Sequence, residues 1–399
     1  MAKSFNFENI AKIPSGIWVL GFVSMLMDIS SEMILSLLPM FMVTVLGTSI
    51  LTVGVIEGIA EATALIVKVF SGVLSDYLGK KKEIVLFGYS LSTLTKPLFA
   101  LATSVTWVFA ARILDRLGKG IRGAPRDALV ADLSPRHLRG ASFGLRQSLD
   151  TVGAVLGPLL AFSFMILCAG NFRVVFAFAI IPGLVAVVLI IMGVKESQNS
   201  SYKTLNPLLF QNLKLLSRSY RWVCVIGTII SLARFSEAFL VLRAMQGGVS
   251  LALVPLFIVV LNVVYACSAY PFGVMADKMS HRTLLIIGLI TLCCADLILA
   301  ASAHWSYVLL GICLWGLHMG LTQGLLAAMV ADTSPYNLRG TAYGFFNLLS
   351  GVALLLSSTL AGLMWEKLGA SFTFYLGALF SFVAVIGLSV WKKPEINVN

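Results

Sequence analysis

Apolar residues along this chain come in long unbroken runs separated by short polar segments. Runs of about 20 residues, the length of a membrane-crossing helix, recur from one end to the other. Twelve spans are predicted, at roughly 17–42, 50–74, 84–104, 106–128, 140–168, 172–194, 221–243, 251–275, 283–302, 305–330, 341–364 and 371–391. Barrel strands would be shorter and would alternate in polarity, so the spans are read as α-helices. Lys3 and Lys12 precede the first span without a small-residue cleavage site, so no removable signal peptide is expected.

The longest polar stretch, KESQNSSYKTLNPLLFQNLKLLSRSYR, falls between the sixth and seventh spans. It divides the chain into a six-helix bundle at 1–194, a cytoplasmic linker at 195–220 and a second bundle at 221–399. An amphipathic helix is expected in the linker around LLFQNLKLL. The halves repeat. VADLSPRHLRGASFG at 130–144 matches VADTSPYNLRGTAYG at 330–344, an offset of 200. FSGVLSD at 70–76 likewise matches PFGVMAD at 271–277, and Ser31-Glu32 matches Ser236-Glu237. Duplicated six-helix halves in a membrane point to a transporter with its site at the repeat interface. With both termini placed in the cytoplasm, seventeen basic residues fall in inside segments and three outside, as the positive-inside rule requires.

Composition supports the same picture. Of 399 residues, 58% are hydrophobic and 12% charged, with a mean hydropathy of +0.93. One water-soluble core cannot bury so much apolar surface, so the lipid bilayer must cover part of it. The net charge of +11 follows from basic cytoplasmic loops, and nucleic-acid binding is not expected. Cys168, Cys224, Cys267, Cys293, Cys294 and Cys313 all lie in or beside apolar segments without metal-ligand spacing. No nucleotide-binding loop, nucleophile constellation or metal motif is present, so the chain is not read as an enzyme and no cofactor is expected beyond a coupling proton.

The charges inside the spans carry the candidate chemistry. At 100° per residue, Arg112, Asp115, Arg116, Lys119, Arg122 and Arg126 of the fourth span fall in an arc of roughly 120°. Pro125 is expected to loosen the end of that span, leaving Arg126 and Asp127 interfacial. Asp28 and Glu32 lie one turn apart on the first span, as do Glu57 and Glu61 on the second. The fifth span adds Arg146 and Asp150, and the third adds Lys96. At 1.5 Å per residue Asp28 lies about 16 Å into the membrane, close to the depth of Glu61 and Asp115. A charge at the bilayer centre costs about 2.5–3.5 kcal/mol, and a purely structural core would use leucine instead. Asp28, Glu32, Glu57, Glu61 and Asp150 are therefore candidate proton-coupling acids. Arg112, Asp115, Arg116, Lys119 and Arg122 are candidate substrate contacts, since arginine holds carboxylate in two-pronged fashion. The second half is poorer in charge. It offers Arg234, Glu237, His318, Gln323 and Trp315 as substrate-facing candidates, with Asp296, Asn262, Tyr265 and Asn347 as further polar positions.

At these residues the chain resembles a major facilitator superfamily transporter, over nearly its whole length. GVLSDYLGKKK fits the superfamily's loop motif at Gly72, Asp76, Gly79, Lys81 and Lys82, with Tyr77 where an arginine is usual. GVMADKMSHR retains Asp277 and Arg282. Arg112, Gly118 and Gly120 fit the fourth-span motif, with Arg116 at a glycine position. GLRQSLDTVGAVLGP fits the fifth-span motif at Gly144, Gly153, Gly157 and Pro158, with Ala161-Phe162 in place of the usual glycine pair. The resemblance implies an all-α integral membrane fold of twelve helices in two pseudo-symmetric bundles. The fifth-span motif is associated in that family with antiporters, mostly exporters of drugs and metabolites.

The expectation is a monomeric alternating-access transporter of a bacterial inner membrane, with both termini cytoplasmic. Proton-coupled export of a small organic molecule, such as a drug or siderophore-like metabolite, is expected, the arginine stripe favouring negative charge on it. The alternatives are a proton-symport importer of an organic anion and a membrane sensor or scaffold that transports nothing.

Overall fold

A computed structural model describes residues 13–135, 138–194, 217–276, 279–322, 324–334 and 338–390. These residues are all-helical, without strands. The helices are α1 (Ser15–Leu35), α2 (Leu38–Thr44), α3 (Ile50–Leu78), α4 (Lys81–Ala100), α5 (Val105–Leu133), α6 (Arg139–Leu167), α7 (Phe172–Phe178) and α8 (Ile180–Gly193). After the linker come α9 (Arg218–Ala233), α10 (Ala238–Gln246), α11 (Pro255–Ala276), α12 (His281–Ala301), α13 (Trp305–Thr322), α14 (Leu325–Thr333), α15 (Arg339–Leu368) and α16 (Ala370–Val390). Among the described residues, ten helical stretches are long and apolar enough to cross a membrane. The helices at the third and fourth predicted spans, α4 and α5, are not among them. α4 opens on Lys81, Lys82 and Glu83 and carries Lys96, and α5 carries the charged stripe. The linker, including LLFQNLKLL, lies outside the described residues.

Several spans expected to be continuous are broken, and two breaks have a local cause. A proline ring clashes with the carbonyl four residues earlier and supplies no N–H. Pro39 stands four residues after Leu35, where α1 ends, and Pro182 stands four after Phe178, where α7 ends. Pro125 behaves differently. α5 runs through it to Leu133, because neighbouring groups can satisfy the backbone that a proline frees inside a packed bundle. Arg126, on that unbroken helix, donates to Ser24 Oγ of α1 at 3.0 Å.

The helices pack as two units. One contains residues 13–36 and 67–194; the other contains 37–66 and 217–390. The first has a core of Leu20, Val23, Met27, Val85, Tyr89, Leu129 and Ile190. In it α1 lies so close to α6 that a Cβ on Gly153 would sit 2.5 Å from Met25 O, and one on Gly157 2.6 Å from Glu32 Cβ. Those glycines, four apart on one face, let the helices meet backbone to backbone and hold Asp28 and Glu32 against α6. The second unit centres on Tyr220, Ile226, Leu284, Leu289, Val330 and Leu388. The first half of α3 joins it by the same device. A Cβ on Gly58 would lie 3.0 Å from Leu355 Cα of α15, and one on Gly362 of α15 2.9 Å from Leu51 Cα. Residues 37–66, assigned by sequence to the first bundle, thus pack with the later helices.

Candidate functional site

The charged stripe of α5 resolves into two groupings within the first unit. The deeper one joins three helices. Lys96 Nζ of α4 donates to Asp115 Oδ1 at 3.0 Å and to Ser31 Oγ of α1 at 3.0 Å. Arg112 Nη1 lies 3.8 Å from Asp115 Oδ2. Lys96 is 1% exposed, Asp115 4%, Arg112 2% and Arg116 3%, so all four are enclosed by helices.

The second grouping is more open. Asp28 of α1 lies in the field of Asp150, Lys119, Arg122 and Arg126. Arg146 Nη1 donates to Asp150 Oδ2 at 2.5 Å, one turn along α6. Arg122 donates to Ser92 Oγ at 2.6 Å and stacks over the Tyr89 ring at 4.7 Å. Lys119 is exposed, and Asp28, Glu32 and Asp150 are half-buried. Three carboxylates, Asp28, Asp150 and Asp127, the last 3.4 Å from Arg126, therefore share their surroundings with four cations, Lys119, Arg122, Arg126 and Arg146. The close approach at Gly153 and Gly157 is what brings α1's acids to α6.

The remaining sequence candidates scatter. Glu57, which is buried, and Glu61 belong to the second unit. Arg234 and Glu237 flank the break between α9 and α10, where Glu237 acts electrostatically on Arg234. His318 is buried on α13, its Nδ1 2.8 Å from Gly288 O. Trp315 donates to Asp296 Oδ1 at 2.9 Å. Gln323 and Asp277 lie outside the described residues.

The loop motif forms a turn and an ion pair. Gly79 takes φ +65° and ends α3, a left-handed conformation that favours glycine. Lys81 Nζ pairs with Asp132 Oδ2 of α5 at 2.7 Å. Lys82 Nζ donates to Ile191 O in the last turn of α8 at 3.2 Å, where a cation complements the helix dipole. The second repeat copies both contacts. His281 Nδ1 lies 3.6 Å from Asp332 Oδ2, and Arg282 Nη2 donates to Ser389 O at 2.7 Å. Sequence reasoning missed Asp132 as the partner of Lys81. The signal was available, since Val-Ala-Asp stands at both 130–132 and 330–332. It also missed Ser31 as a ligand of Lys96, a contact between residues 65 apart that no local pattern announces.

Among the described residues no group of three or more His, Cys, Asp or Glu side chains could hold a metal ion. What the geometry offers is a cationic, partly open cluster beside half-buried acids.

An uncharacterized MFS-type transporter of Methanocaldococcus jannaschii is 32% identical over 386 residues, covering 95% of each chain. Among solved structures, the nucleoside transporter NupG superposes with a TM-score of 0.75 at 11% identity, covering 95% of this chain and 100% of that one. The human organic anion transporter MFSD10 gives 0.69 at 17% identity, covering 94% and 99%. The family profile of the Major Facilitator Superfamily matches residues 20–260 and 223–397. A multi-pass helical membrane protein matched over essentially its whole length, the chain belongs to the Major Facilitator Superfamily of transporters rather than to any class of enzyme.

Proposed function

We propose that this chain is a monomeric alternating-access transporter that exports a small organic molecule in exchange for protons, from a bacterial inner membrane with both termini cytoplasmic. The observation that carries the reading is the Asp28–Asp150 grouping, in which the cations Lys119, Arg122, Arg126 and Arg146 outnumber the carboxylates Asp28, Asp150 and Asp127 by one. Its excess charge suits a substrate bearing a carboxylate or similar anion, held by Lys119 and Arg122. The likeness to the organic anion transporter is in keeping with this reading. Exchange requires that substrate and proton compete. A donor group on the substrate bonds ionised Asp28; protonation removes that acceptor and releases the substrate. The Gly144–Pro158 segment, which resembles the antiporter motif, supports the outward direction.

The same electrostatics favour a second reading for a purely anionic substrate. Protonating Asp28 raises the positive excess and strengthens anion binding, which couples proton and anion in the same direction. Proteoliposomes separate the two. An imposed pH gradient drives substrate against the proton flow in antiport and with it in symport. A ligand-stabilisation screen on purified protein supplies the compounds. Accumulation along the proton gradient, without exchange in the opposite direction, overturns the export reading.

A further inference from the structure

The repeat offset of 200 superimposes two polar contacts that differ in chemistry. Position 96 on α4 corresponds to 296 on α12, and 115 on α5 to 315 on α13. In the first half these positions hold Lys96 and Asp115, an ion pair. In the second they hold Asp296 and Trp315. Trp315 Nε1 donates to Asp296 Oδ1 at 2.9 Å. Asp296 is 0% exposed, and its Oδ2 has no hydrogen-bond partner among the described residues. The second half thus has an acid where the first has the lysine, and an indole where the first has the acid.

Each element around Asp296 contributes little compensation. α13 brings Trp315 and, one turn on, His318, also 0% exposed. A carbonyl only accepts, so His318 Nδ1 facing Gly288 O carries the ring proton, and the unpartnered Nε2 is a bare lone pair. α16 meets the carboxyl with Gly377, where a Cβ would lie 2.5 Å from Oδ2 and 2.8 Å from Phe235 Cε1. Phe235 itself packs on Trp315 at 5.7 Å and on Phe374 at 5.6 Å. The nearby cations are otherwise engaged. Arg234 interacts with Glu237, and Arg243 donates to Leu299 O at the end of α12 while lying over Phe374. Cys293 lies on the same helix as Asp296. An ionised carboxylate enclosed by aromatic rings with one neutral donor is costly, and such a group takes up a proton instead. A hard metal cation would ask for several oxygens; the described surroundings are indole and phenyl.

We propose that Asp296 is the proton site of the second repeat. It is a neutral carboxylic acid in the state seen here, with the proton on Oδ2, and it releases that proton to water when the transport cycle wets the α12–α13–α16 interface. Ionisation leaves a carboxylate that keeps the Trp315 hydrogen bond. The inference rests on the proton-coupled reading above but assigns a different acid, so the two fail separately.

The test is infrared spectroscopy of the purified full-length protein across pH. The expected spectrum contains a carboxylic C=O band, shifted by deuterium, that persists at neutral pH and is lost in Asp296→Asn. Asparagine keeps the acceptor for Trp315 and mimics the protonated acid in shape. In Trp315→Phe the same band should move to higher frequency, because its hydrogen bond is gone; this variant keeps the test alive if Asp296→Asn does not fold. In proteoliposomes Asp296→Asn should retain substrate counterflow and lose at least about tenfold in pH-gradient-driven transport. Spectra of wild type and both variants that coincide in the carboxylic region overturn the proposal. So does wild-type proton coupling in Asp296→Asn. Loss of coupling in Asp28→Asn with the Asp296 band intact bears on the first-half site alone.

Discussion

Removing Lys96 should cost less than removing its partner Asp115, and the structure says why. At 3.0 Å the Lys96–Asp115 pair has a gross attraction of roughly 5 kcal/mol at an effective dielectric of about 20. Arg112, at 3.8 Å from the other carboxylate oxygen, contributes roughly 4 kcal/mol on the same scale. Desolvation of groups only 1–4% exposed offsets much of this, but breaking a buried pair leaves an uncompensated charge and costs about 3–5 kcal/mol. In Lys96→Met, Asp115 still faces Arg112, so the loss should lie near roughly 3 kcal/mol. In Asp115→Asn, Lys96, Arg112 and Arg116 are left together without their acid, so the loss should lie near roughly 5 kcal/mol. The double variant, neutral at both positions, should be more stable than Asp115→Asn alone. Reversible unfolding in mixed micelles, followed by tryptophan fluorescence, measures all three. Single variants within about 0.5 kcal/mol of wild type, or Lys96→Met as the worse of the two, would refute the reasoning.

Further tests address the other contacts. Asp28→Asn and Glu32→Gln are expected to abolish proton-coupled transport while substrate binding persists, read by flux and by ligand-induced stabilisation; wild-type coupling in both removes α1 from the mechanism. Lys119→Gln should weaken an anionic substrate about tenfold, one charge-assisted hydrogen bond, and leave a neutral analogue nearly unaffected in binding titrations. Gly157→Leu drives a side chain into Glu32 and the α1 backbone, and should destabilise the protein by about 1–3 kcal/mol or more, with loss of transport. Lys81→Gln and Asp132→Asn break a partly exposed pair, so each should cost about 1 kcal/mol or less, and the double variant should match the singles.

Span positions were readable because a membrane helix must be apolar over a fixed length whatever it packs against. The breaks at Leu35 and Phe178 were readable in principle, since each lies four residues before a proline, but the unbroken hydropathy of 17–42 and 172–194 masked them. The placement of 37–66 was harder. Hydropathy does not say which neighbour a helix chooses, although Gly54 and Gly58 form a small-residue face that α15 fills. The stripe on α5 was visible from spacing alone. Its partition into an enclosed Lys96 grouping and an open Asp28 grouping was not, because it depends on side chains from α1, α4 and α6 that are distant in sequence.

The two versions of the socket at 96/115 and 296/315 imply different histories for the duplicated halves. An ancestor carrying Lys96 and Asp115 has no easy single step away from them, because each one-residue change passes through a destabilised intermediate. Positions 296 and 315 face no such valley: asparagine, or phenylalanine for the tryptophan, leaves no stranded charge. Across related sequences, 96 and 115 should therefore change together or remain fixed, while 296 and 315 are free to drift one at a time unless the proton on Asp296 is under selection.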